Sequence, residues 1–173
     1  MNQLRALRSM TLSVVAVAAL SLSMSACGDE NNDDGPSFDN TKTFSINDAT
    51  YPVKSVGYYF NDTYGNFKLM FTSTEMDLSR QLTSEPTSPY LIINIPQEKC
   101  GMSLDLTQSL NSRYAIFYVQ TSDGAFADFA KGRIYISVNG SKVKAHLSGT
   151  AEKGPELSLY YEGSAQRSDK QIW

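Results

Sequence analysis

GRIYISVNGSKVKAHLSG (residues 132–149) reads as two strands and a turn. Asn139-Gly140 sits between two alternating runs, and Asn-Gly in that setting is the strongest short-range hairpin signal, because both residues tolerate the positive φ of a tight turn. A two-residue loop there pairs Val138 with Ser141, Ile136 with Val143 and Ile134 with Ala145. Apolar side chains then share one face, while Tyr135 meets Lys144 and Arg133 meets His146 on the other. A one-residue slip would mix the faces, so pattern and turn support each other.

The same alternation extends outward. In ELSLYYE (residues 156–162), Leu157, Leu159 and Tyr161 fall on one side, Ser158 and Tyr160 on the other. FSINDATY (residues 44–51) predicts a second hairpin that turns at Asn47-Asp48 and sets Phe44 opposite Tyr51. Pro52 cannot donate to a ladder, which puts its strand at an edge. Residues 66–73, 90–96, 102–107 and 113–121 read as further strands, SEPTSP (residues 84–89) as a loop, and AFADFA (residues 125–130) as one or two helical turns capping an open end. Ten Tyr and eight Phe favour sheets. Short strands with turn signals roughly every 8–12 residues predict an all-β fold, an antiparallel β-sandwich or barrel of about 8–9 strands.

The N-terminal part is different. Residues 1–9 carry Arg5 and Arg8 and no acid, MTLSVVAVAALSLSM (residues 10–24) carries no charge, and Ser25 and Ala26 follow. These are the three parts of a secretory signal peptide. The apolar centre, about 15 residues, is shorter than the roughly 20 that a spanning helix needs. Residues 28–37, GDENNDDGPS, have no apolar side chain to bury and are expected to stay disordered as a tether. They lack the spacing of an EF-hand calcium loop.

Met24-Ser25-Ala26-Cys27 resembles the lipobox of bacterial lipoproteins. The resemblance implies that the Cys27 thiol takes a diacylglycerol, that palmitate labels the chain, and that cleavage leaves Cys27 first in the mature protein. The acids behind Cys27 resemble the export signal of surface-exposed lipoproteins of Bacteroidetes-type bacteria. The opening hairpin at residues 44–51 and the closing pair HLSG (146–149) and YYEG (160–163) also resemble small proteins of that kind. This implies lipid attachment to the outer membrane of the cell envelope and a place at the cell surface. The expected organisation is a lipoprotein signal peptide over residues 1–26, an acidic flexible tether over 27–40, and an antiparallel β domain over 41–173.

Composition narrows the chemistry. Without Arg5 and Arg8 the 15 basic residues fall to 13 against 18 acids, a net charge of −5 that attracts no nucleic acid. Cys100 is the only other cysteine, so it packs as a small apolar group without an intramolecular disulfide partner. His146 is the only histidine, and neither a Gly-rich phosphate loop nor paired cysteines are present. Asp105, Asp123, Asp128, Glu152, Glu156 and Glu162 are scattered, and no catalytic pairing follows from them. The expectation is a non-enzymatic chain without metal or cofactor. Tyrosine, with an apolar ring and a hydroxyl, suits sugars or protein partners. Tyr135 and Tyr160 lie opposite the apolar rows of their strands. Tyr114 and Tyr118 stand in YAIFYV (residues 114–119), apolar on both faces and so either covered on both sides or lending its tyrosines to a pocket. These four residues are the candidate ligand contacts of a binding module for glycan or envelope protein. The alternatives are a structural or accessory envelope component without a small ligand, and a lipocalin-like barrel carrying an apolar one.

Overall fold

The computed structural model describes residues 42–84, 86–87, 89–107, 115–121 and 123–172. The expected signal peptide, tether and Cys27, and also Tyr114, lie outside these residues. Among the described residues there is no α-helix, and no helix long and apolar enough to cross a membrane.

The described residues form twelve strands in two six-stranded sheets. The first sheet holds β1 (Thr43–Ile46), β2 (Ala49–Pro52), β6 (Ser103–Asp105), β9 (Phe129–Asn139), β10 (Lys142–Ala151) and β11 (Glu156–Ser164), in the order β2-β1-β11-β10-β9-β6. It is antiparallel throughout. The second holds β3 (Ser55–Asn61), β4 (Asn66–Thr72), β5 (Tyr90–Pro96), β7 (Ala115–Val119), β8 (Gly124–Phe126) and β12 (Gln166–Ser168), in the order β12-β3-β4-β5-β7-β8. Its one parallel pairing joins β12 to β3. One short 3₁₀ turn, Gln97–Lys99, follows β5.

The sheets pack face to face, which makes the fold a β-sandwich. Phe44, Ile46, Ile136, Leu147 and Leu157 of the first sheet and Leu69, Phe71, Leu91 and Ile93 of the second are buried to 2% exposure or less, in one apolar cluster. Burying each such side chain stabilises the fold by about 1.5–3 kcal/mol before entropy is counted. Phe71 meets Tyr161 edge-on across the interface, 5.8 Å between centroids. The Tyr58 hydroxyl donates to Gly140 O at 2.7 Å, fastening the β9–β10 turn to the second sheet. Cys100 is buried in the same cluster.

The β9–β10 hairpin forms, but its register is two residues from the expected one. Asn139 pairs with Lys142, Val138 with Val143, Ile136 with Ala145, Ile134 with Leu147 and Tyr135 with His146. The loop is therefore Gly140-Ser141. Gly140 alone of the two has positive φ, +55°, which is the type II′ pattern with glycine first. Side chains alternate with period two, so a two-residue shift leaves every residue on its expected face. The shift pairs Val with Val and moves His146 from Arg133 to Tyr135.

The opening hairpin matches expectation, with Phe44 opposite Tyr51 and Pro52 on the edge strand β2. Three strands beyond the expected set raise the count to twelve: β3, β8 and β12. The helical turns expected over residues 125–130 are absent. That stretch is β8 and the start of β9, held as strand by the pairing of Phe126 with Phe117 and of Phe129 with Ala151.

A second apolar cluster accounts for the apolar side chains on the outer faces of β4 and β5. Met70, Tyr90, Ile92 and Val119 are covered by Leu78, from the β4–β5 connection, and by Ile172 near the C-terminus. The Gln166 side chain clamps this cover: its Oε1 accepts from Leu78 N at 2.6 Å and its Nε2 donates to Met76 O at 3.3 Å. Leu82 N donates to Ile172 O at 2.6 Å.

Candidate functional site

The face of the first sheet turned away from the core carries the polar half of each alternation. Cross-strand neighbours there form rows, because directly opposite residues have Cβ atoms about 4.5–5.5 Å apart. One row runs Thr43, Tyr160, His146, Tyr135, Ser103 across β1, β11, β10, β9 and β6. The His146 ring stacks on Tyr160, 4.8 Å between centroids and 13° from parallel. It lies tilted at 6.0 Å from Tyr135. His146 Nε2 lies 3.3 Å from Glu162 Oε1. Burial lowers the His146 pKa, the Glu162 carboxylate opposes that shift, and the Lys144 ammonium adds to it. Stacking engages the flat face of Tyr160, so this row offers hydroxyls rather than an open platform.

The adjacent row runs Ser45, Ser158, Ser148, Arg133, Asp105 over the same five strands. It lines a trough of about 760 Å³, with Glu156, Thr150 and Lys131 along its other side. Asp105 is prepared as an acceptor. Thr107 N and Thr107 Oγ1 both donate to its Oδ1, at 2.9 and 2.8 Å. Those bonds, and then the nearby Arg133 charge, hold its carboxyl below the usual carboxylate range.

The structure brings Tyr135 and Tyr160 together on this face, one on each side of His146. Tyr118 is elsewhere. It lies opposite Leu91 in the second sheet, and its ring packs against the main core. A Cβ on Gly154, in the β10–β11 loop, would sit 3.4 Å from the Tyr118 hydroxyl. Tyr118 is thus a strut between the sheets, because leucine and tyrosine at paired positions must share a face, and that face is the inner one.

The sequence reading missed the trough. Arg133 meets Ser148 only in the shifted register, and Asp105 arrives by pairing of a three-residue strand with distant β9. No local pattern announces such a pairing. Asp105 and Glu156 both line the trough, but β9 and β10 lie between their strands. Three strand spacings put them about 14 Å apart, beyond the roughly 5–9.5 Å between the carboxyl groups of a glycosidase pair. Among the described residues no group of three His, Cys, Asp or Glu is placed to hold a metal ion. Compared with known proteins, the chain matches no family model, no curated protein and no solved structure.

Proposed function

We propose that this protein is a lipid-anchored lipoprotein of the cell envelope whose sandwich is a non-enzymatic binding module for glycan or protein. The observation that carries the binding role is the row Tyr160, His146, Tyr135 set beside a polar trough on one sheet face. Two tyrosine hydroxyls and a line of serines give several hydrogen-bonding groups on a rigid sheet, where positioning costs little entropy. The envelope location rests on Met24-Ser25-Ala26-Cys27 and the leader before it.

The test is a screen of the purified full-length chain, in detergent, against immobilised glycans and purified envelope proteins. Binding that both Tyr135→Ala and Tyr160→Ala weaken supports the reading. No binding, or binding indifferent to both substitutions, ends it.

A further inference from the structure

We infer that the trough is a site for an uncharged oligosaccharide, gripped by Asp105 and Arg133. The inference rests on the binding-module reading and narrows its ligand. Asp105 and Arg133 are register neighbours on β6 and β9, and both are exposed. Both Thr107 bonds fall on Asp105 Oδ1 and leave Oδ2 outside that pair. Among the described residues neither Asp105 nor Arg133 enters an ion pair. A fixed carboxylate that accepts, beside a guanidinium that donates, matches a pair of neighbouring sugar hydroxyls, each of which does both.

The remaining lining argues for neutrality. Among the described residues of the lining, Lys131 and Arg133 are balanced by Asp105 and Glu156, so an anionic or cationic ligand meets as much repulsion as attraction. Ser148 and Ser158 supply hydroxyls that donate or accept as the ligand requires, while the Ser45 hydroxyl is shared with Thr50 at 2.8 Å. The row spans five strands, about 19 Å at the usual spacing, which is room for an extended chain. A protein partner would need an apolar anchor to bury, and among the described residues the large exposed apolar side chains Tyr64, Met102 and Phe126 all lie outside the trough lining.

The experiment measures binding of the full-length chain to neutral hexasaccharides (of glucose, mannose and xylose) and to anionic ones (galacturonate and heparin). A neutral chain is expected to bind, with affinity unchanged between low and high salt. Asp105→Asn and Arg133→Gln should each weaken it about tenfold or more, while Tyr64→Ala leaves it unchanged. Thermal midpoints of both variants check that they fold. If either is unfolded, Ser148→Ala, expected to weaken binding by a smaller factor, replaces it. Preference for the anionic chains, or a neutral ligand whose affinity neither substitution moves, overturns the trough assignment while a binding module still stands. Binding to no glycan but to an envelope protein also overturns it. Binding to nothing overturns both readings.

Discussion

His146 and Tyr160 lie ring on ring between neighbouring strands, 4.8 Å apart at their centroids. The imidazole is enclosed by Tyr135 on one side and Tyr160 on the other, with Glu162 and Lys144 as the charged groups beside it. Its folded pKa lies below the ordinary 6.5, first because of burial. Folding therefore prefers the neutral ring. The stability this contributes is present above about pH 6.5 and is lost as pH falls through the lower folded value. The thermal midpoint should drop further between about pH 7.5 and pH 5 in the wild-type chain than in His146→Gln. Equal drops would show that the ring titrates the same in both states.

Gly140 sets the hairpin register through its φ of +55°. A β-branched residue there is strained, so Gly140→Val should cost about 1–2 kcal/mol. Gly140→Asn should cost less, since asparagine takes a positive φ more readily than a β-branched residue. Urea midpoints of the two variants give the comparison, and a valine variant as stable as wild type would contradict the turn assignment.

Gly57 and Leu78 are a tighter fit. A Cβ on Gly57 would lie 2.5 Å from Leu78 Cβ, and Gln166 holds the Leu78 backbone in place. Gly57→Ala should destabilise by about 1–3 kcal/mol through overpacking. Leu78→Ala keeps the clashing atom and should not rescue it. Leu78→Gly, though costly alone, removes that atom, so its double variant with Gly57→Ala should lose less than the sum of the two. Strict additivity would mean that the loop yields instead.

Cys27→Ser should block lipidation and release the chain from membranes, if its thiol carries the anchor. Membrane fractionation with radiolabelled palmitate measures both effects. A labelled Cys27→Ser variant would place the lipid elsewhere.

The parts of the fold that could be read in advance are those where a turn and an alternating pattern coincide. Phe44 opposite Tyr51 and the faces of β9, β10 and β11 are of this kind. Strand β3 is harder to read because Val56, Gly57 and Tyr58 are all buried, and a segment covered on both faces loses its polar alternation. The Asn139-Gly140 pair points to the right hairpin, yet the backbone puts Gly140 first in the loop, a choice between turn types that pattern alone leaves open. The site divides the same way. Tyr135 and Tyr160 lie on faces defined by their own strands, whereas Asp105 depends on a pairing formed across a long separation in sequence.

β1 also works as a ruler. Lys42, at its start, stands over the Tyr161 ring, while Asn47, just past its end, lines the trough. Five residues at about 3.4 Å each separate them by some 17 Å. Ser45, the lining residue of β1 nearest to Lys42, is three residues or about 10 Å from it, so any surface that holds the protein through residues before Lys42 is joined to it beside the trough rather than across it. The Asp105 end, four strands away from β1, is then the part of the trough farthest from such a fastening.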